Sequence, residues 1–383
     1  MTEKIPIWLD CDPGHDDTFA ILLAAYHPAL RLLGISTAWG NASLENTTQN
    51  AASILTAIGK AHEIPIYIGA NKALFRPPMH PPTDIHGESG LDGTDLLPKP
   101  TVPPNTTIPA IDAAAAALKA ETPGTAYLVA TGSFTNAAAL FLKYPDLASQ
   151  IKGLSLMGGA IGGGFTNAVL GHVEGVPRIG NWTQYAEFNI LADPEAAASL
   201  FGNKILAAKT TLIPLDLSHQ VLATEEVRNL LLYGPEGSKE EKGKQPKSTL
   251  RVMLVELLMF FAKTYTDVFG ITAGPPLHDP LAVAAILSGI EDAENEIPCY
   301  DFEGEAQEGK KRERYEVTVV TEGSYEDAQA GARTGQTVAK LLPEGQEGVR
   351  IPRGLDITKF WEVLEECVTR ADEVNAAAIN GVK

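Results

Sequence analysis

Four aspartates fall within eight residues in Asp10-Cys-Asp-Pro-Gly-His-Asp-Asp17, directly behind the apolar run Ile5-Pro-Ile-Trp-Leu. If that run is a strand, Asp10 and Asp12, two apart, share one of its faces. Pro13-Gly14 forces a turn, after which Asp16 and Asp17 begin a helix. Two like charges about 4 Å apart repel by roughly 4 kcal/mol at an effective dielectric of 20. A helix N-terminus returns only about 0.3–1 kcal/mol per carboxylate. The cluster must therefore keep protons at neutral pH or recruit a cation. Oxygen-only donors select Ca²⁺ or Mg²⁺, and no array of histidine or cysteine competes for a softer metal. The bland alternative makes Asp16 or Asp17 an N-cap and leaves Asp10 or Asp12 at a solvated strand end, which accounts for one or two of the four. His15, inside the turn, has the type of a zinc ligand but reads rather as an exposed turn residue.

Elements must bring these carboxylates to a common point. Apolar runs at Ile5–Asp10, Leu32–Thr37, Ile64–Ile68, Ala126–Ala130, Gly153–Met157 and Leu206–Pro214 read as strands buried on both faces. Helical patterns at Asp17–Tyr26, Leu44–Ile58, Ile111–Lys119, Asn136–Tyr144 and Pro194–Phe201 alternate with them. The alternation predicts an α/β fold, a single doubly wound, mostly parallel, Rossmann-like sheet with flanking helices, whose ligand site lies at the carboxyl ends of the strands. The aspartate cluster is at such an end. Further on, Leu250–Thr264 reads as a core helix, His278-Asp-Pro-Leu opens another, and Tyr315–Val320 reads as a strand. Residues 1–383 are read as one domain with insertions near residues 76–109, 160–180 and 234–247. The first insertion, holding Asp84-Ile-His-Gly-Glu-Ser-Gly-Leu-Asp-Gly93, is expected to be functional and the last to be disordered.

Composition narrows the partners. A net charge of −18 lacks the dense basic surface that nucleic acid or an anionic membrane requires, so a small neutral or cationic ligand fits better. Three cysteines without CxxC spacing suggest neither a disulfide framework nor a zinc cluster. The absence of a basic-then-apolar leader or a spanning apolar run makes a cytoplasmic location the expectation.

Other motifs follow the aspartates in order: Trp39-Gly-Asn41, Ala130-Thr-Gly-Ser-Phe-Thr-Asn136, Met157-Gly-Gly159, Asn181-Trp-Thr-Gln-Tyr-Ala-Glu-Phe-Asn-Ile190 with Asp193-Pro-Glu-Ala-Ala197, and His278-Asp-Pro280. Together with Asp10–Asp17 they resemble the inosine/uridine-preferring nucleoside hydrolases, the nucleoside N-ribohydrolases, across nearly 280 residues.

The resemblance implies a fold, a reaction and a set of roles. Ca²⁺ would be held by Asp12, Asp17, the backbone carbonyl of Thr131 and Asp279. Asp12 would also be the general base toward a calcium-bound water. Asp16, Asn41 and Asn189 would bind the ribose 2′ and 3′ hydroxyls, Asn181 and Glu187 the 5′ hydroxyl, and Met157 would line the sugar pocket. Two residues apart, Glu187 and Asn189 would point into one pocket from an extended segment. His278, near-neutral in pKa, would assist the leaving base, and His86 is a candidate for the base pocket. Asp10 would support the cluster from behind, and Asn136 would contact a helix N-terminus. A homo-oligomer, dimer or tetramer, is implied as well. The chain departs from the family pattern at Thr131-Gly-Ser133-Phe and in the long connection Ala160–Gly180, which carries His172 and Arg178.

Two alternatives share the aspartates. A haloacid-dehalogenase-like Mg²⁺-dependent phosphatase also ends its first strand in Asp-x-Asp, but no Gly-Asp-x-x-x-Asp equivalent follows here. A non-catalytic, calcium-dependent nucleoside- or sugar-binding protein could use the same ligands. The run Gly158-Gly-Ala-Ile-Gly-Gly-Gly164 lacks the Gly-Lys-[Ser/Thr] of a phosphate loop.

Overall fold

The computed structural model describes residues 3–79, 81, 83–236, 245–302 and 312–381. Its first strand, β1 (Ile5–Cys11), is buried along nearly all its length because neighbours cover both of its faces. Ile7, Leu9 and Cys11 pack into one layer with Phe19, Leu22, Ile54 and Phe360. Trp8 points the other way, into a layer with Leu118, Ala137, Leu140 and Leu200, as the two-residue period of a strand requires. Each fully buried side chain of this kind contributes roughly 1.5–3 kcal/mol.

Five more strands join it: β2 (Leu30–Thr37), β3 (Ile66–Ile68), β4 (Tyr127–Ala130), β5 (Gly153–Met157) and β6 (Thr210–Ile213). Every pairing is parallel, in the order β3-β2-β1-β4-β5-β6. The winding reverses between β1 and β4, so the crevice beyond their carboxyl ends is where a doubly wound sheet binds its ligand. Asp12 follows β1 and Thr131 follows β4, and Thr131 N donates to Asp10 O at 2.9 Å. The α/β reading of the sequence thus holds, and Tyr315–Val319 is a strand too, paired antiparallel with Thr337–Leu341 outside the main sheet.

Two expected strands are clearly shorter than the apolar runs that suggested them: Ile64–Ile68 pairs only over Ile66–Ile68, and Leu206–Pro214 is cut further. Within Leu206–Pro214, residues Lys204–Ala207 form a helical turn, because Asn203 Oδ1 accepts from the amides of Ile205 and Leu206. The strand is confined to Thr210–Ile213.

Of the segments 76–109 and 160–180, the first reaches the crevice through Ile85 and His86. In the first, Asp92 gathers the amides of Glu88 and Ser89, while Asn46 and Asn50 hold the carbonyls of Glu88 and Ser89. Thr94 reaches Glu256 on the helix Thr249–Phe269 at 2.6 Å. The second carries a short hairpin, His172–Val173 with Val176–Pro177. There Arg178 donates to the carbonyls of Gly180 and Asn181 and packs over the Phe269 ring. The expectation of disorder at 234–247 falls mainly on residues 237–244, outside the described residues.

Candidate active site

Asp12 is fully buried, and its two oxygens fare differently. Oδ2 accepts the Asn41 amide at 2.9 Å, whereas Oδ1 has no hydrogen-bond partner. Space for this side chain comes from missing side chains. A Cβ on Gly132 would lie 2.7 Å from Asp12 Oδ1, and one on Gly40 1.9 Å from Oδ2. Asp17, first residue of the helix Asp17–Tyr26, accepts from Gly14 N, Asn41 Nδ2 and Thr131 Oγ1. The carboxylates of Asp16, Asp17 and Asp279 bring oxygens within 4.8 Å of one another, all buried, with Asp279 N donating to Asp16 Oδ2 at 3.4 Å.

Burial raises the pKa of all four acids: Asp12, Asp16 and Asp279 shift upward, and Asp17 reaches about 7. Their mutual charge adds to the shift for Asp12, Asp17 and Asp279. A cluster of this kind holds protons or a cation. Its donors are all oxygen, one of them buried and unsatisfied, which fits a hard divalent cation.

Asp10 does not join the cluster. Its Oδ1 accepts from Ser36 Oγ and Asn136 Nδ2, burial lifts it to about 6, and its other oxygen is unpartnered. Asp12 lies one residue beyond the end of β1. Asn136 does not cap its own helix as expected: its side chain joins Asp10, the Thr37 carbonyl and the Ala70 amide.

Above the carboxylates opens a cavity enclosing about 500 Å³, its mouth included. Asp16, Asn41, His86, Thr131, Met157, Asn181, Glu187, Asn189, His278 and Asp279 line it, so the sequence-derived candidates converge, with Asp12 and Asp17 buried beneath. Glu187 and Asn189 do so by another route than expected. Glu187 N-caps the helix Phe188–Ala192, taking the amides of Asn189 and Ile190. Gly159 N completes its shell, and burial pushes it up to about 7. Asn189, inside the helical turn, donates Nδ2 to the carbonyls of Thr131 and Met157. Asn181 Oδ1 takes the Phe188 amide.

The opposite wall revises the expectations for two histidines. His278 lies between Ser218 Oγ, 2.7 Å from Nδ1, and Tyr265 OH, 2.6 Å from Nε2. Its pKa is not near neutral: burial, then His219, pushes it well below the usual value, so the ring is uncharged at physiological pH. His15 is not exposed; it is fully buried because the loop carrying His86 and Asp92 folds over the turn. Sequence reasoning missed Phe261 and Tyr265, which the helix Thr249–Phe269 contributes to the cavity although its run was read as core alone. Their i, i+4 spacing was the available signal. Ser218 was missed as well.

Comparison with known proteins agrees with this architecture. Solved structures of a purine-preferring ribonucleoside hydrolase from Gardnerella vaginalis (24% identity, 96% of this chain and 99% of that one, TM-score 0.70) and of a plant nucleoside hydrolase (23%, 95% and 99%, TM-score 0.69) share the fold. The fold class is thus that of the nucleoside hydrolases. Residues 7–362 match the model of the inosine-uridine preferring nucleoside hydrolases. A uridine nucleosidase of Saccharomyces cerevisiae is 38% identical over 97% of this chain and 98% of its own. A pyrimidine-specific ribonucleoside hydrolase of Citrobacter koseri is 36% identical over 74% and 79%. The chain belongs to the inosine-uridine preferring nucleoside hydrolase family, hydrolases that cleave the N-glycosyl bond of ribonucleosides. This membership replaces the phosphatase and receptor alternatives. Among the described residues, no helix is long and apolar enough to cross a membrane.

Proposed function

We propose that this chain hydrolyses ribonucleosides, pyrimidine ribonucleosides foremost, to ribose and free base, with Ca²⁺ held by Asp12, Asp17, Asp279 and the Thr131 carbonyl. The observation that carries the reading is Asp12 Oδ1, a buried carboxylate oxygen with no protein partner amid three further buried carboxyls. When bound, the cation supplies acidification of water and a fixed point for the ribose diol. Asp12, held through Oδ2 by the Asn41 amide, takes the proton from the attacking water. Bond breaking builds positive charge on the ribosyl ring, and the anionic floor stabilises it.

Asn41 and Asn189 spend their amide NH₂ groups on the protein, which leaves each Oδ1 to accept from a ribose hydroxyl. Asp16 faces the same hydroxyls, Met157 packs along the ring, and Asn181 and Glu187 close the 5′ side. His278 assists the departing base as a neutral ring, through its hydrogen bond with Tyr265 OH. The pyrimidine preference draws on the relatives described as a uridine nucleosidase and a pyrimidine-specific hydrolase. The reading includes a cytoplasmic homo-oligomer, a dimer or tetramer, which light scattering sizes. Reducing-sugar release from uridine, cytidine and inosine, with and without chelator, tests the reaction. Chelator-sensitive release is expected, and no ribose from any of them refutes it.

A further inference from the structure

Two histidines meet beside the cavity, His86 lining it and His15 fully buried. His15 Nε2 lies 2.8 Å from the Asp92 carbonyl oxygen, and His15 Nδ1 lies 3.0 Å from His86 Nδ1. The His15 and His86 rings are 25° from coplanar with centroids 5.2 Å apart, the arrangement of an in-plane N–H···N bond. Phe260 lies parallel to His15 on one side, 5.0 Å away and 8° inclined, so the ring cannot turn freely. Gly14 permits the approach, since a Cβ there would lie 2.8 Å from His86 Nδ1.

The proton positions follow from valence. A carbonyl oxygen only accepts, so His15 Nε2 carries hydrogen. A neutral imidazole has one N–H, which leaves His15 Nδ1 as a bare acceptor. His86 Nδ1 must then be the donor, and His86 Nε2 is left with its lone pair. His86 lines the cavity, with its Nδ1 turned to His15. Two cationic rings would set N–H against N–H, so the 3.0 Å contact between the Nδ1 atoms itself requires one bare nitrogen.

We propose that His15 is a positioning residue whose bare Nδ1 fixes His86 in the Nδ1–H tautomer, so that the cavity offers a lone pair at His86 Nε2 to a nucleobase bearing an N–H or NH₂ donor. The inference rests on the nucleoside-hydrolase reading of the site. It names the hydrogen-bond polarity that the base must have: the ring N–H of uracil or hypoxanthine satisfies it, and an N-methylated ring does not. A polar group left unpaired in such a wall discriminates strongly against the analogue.

The tautomers are read directly by long-range ¹H–¹⁵N correlation on the full chain labelled at histidine nitrogen, with His15→Phe and His86→Gln spectra supplying assignments. His86 should carry its proton on Nδ1 and His15 on Nε2. In His15→Phe, which keeps an aromatic ring against Phe260 but removes the acceptor, His86 should move toward the Nε2–H form. A proton on His86 Nε2 in the wild-type chain overturns the inference without any variant having to fold.

Kinetics add a second arm. Wild-type kcat/KM should favour uridine over 3-methyluridine by at least about a hundredfold, and His15→Phe should narrow that gap at least about tenfold by slowing uridine alone. A merely structural role would slow both nucleosides equally and overturn the inference. Equal kcat/KM for the two in the wild type overturns the base preference while leaving nucleoside hydrolysis standing. No ribose from any nucleoside overturns the underlying reading, and the preference with it.

Discussion

Raising the pH should make added calcium a stronger stabiliser of this chain. Asp16, Asp17 and Asp279 bring carboxylate oxygens within 4.8 Å of one another, and full charges at that distance repel by roughly 3.5 kcal/mol per pair at an effective dielectric of 20. Without a cation, burial and then the Asp16 charge lift Asp17 from 3.8 to about 7. The folded chain thus keeps a proton that the unfolded chain has lost, so metal-free stability falls as pH rises from about 4 to 7. A cation must displace that proton. At pH 5, below a pKa of about 7, displacement weakens affinity roughly a hundredfold, or by about 2.7 kcal/mol. Calcium at a hundred times its pH 8 Kd stabilises by about 2.7 kcal/mol at pH 8, and the same concentration contributes only about 0.4 kcal/mol at pH 5. With an unfolding entropy of about 2.1 cal/mol/K per residue over 383 residues, scanning calorimetry should show Tm rising by about 3 °C at pH 8 and by about 0.5 °C at pH 5. Equal shifts at the two pH values, or none at pH 8, would refute the reasoning.

Three further outcomes follow from the same geometry. Asp12→Asn should lower kcat for uridine by roughly 10²–10⁴-fold with little change in Tm, measured by ribose release alongside calorimetry. Gly132→Ala places a Cβ 2.7 Å from Asp12 Oδ1 and should cost at least about tenfold in kcat by displacing that carboxylate; activity within twofold of wild type would mean that Asp12 is not held where the account needs it. Removing the 2′ hydroxyl should lower kcat/KM at least about a hundredfold, since Asp16, Asn41 and Asn189 would lose a partner in a buried wall; comparison of uridine with 2′-deoxyuridine reads this.

The sheet was legible because strands covered on both faces leave continuous apolar runs, and because the carboxyl end of β1 is marked by its own aspartates. Short helices were not. The turns Lys204–Ala207 and Phe188–Ala192 are too brief to display a 3.6-residue period, so one was absorbed into a strand and the other read as extended. Burial was the second blind spot. Nothing local to His15 says that the loop of His86 and Asp92 will close over it, and nothing local to His278 says that Ser218 and Tyr265 will enclose it. Residue types announced the chemistry, but solvent exclusion, which sets protonation and tautomer, depends on elements distant in the chain.

The most direct test of the central claim is a crystal structure of the chain grown with calcium. The account predicts one ion bound by Asp12, Asp17, Asp279 and the Thr131 carbonyl, with oxygen distances of about 2.3–2.6 Å. Ordered side chains at these positions with no ion among them, at saturating calcium and pH 8, would contradict it.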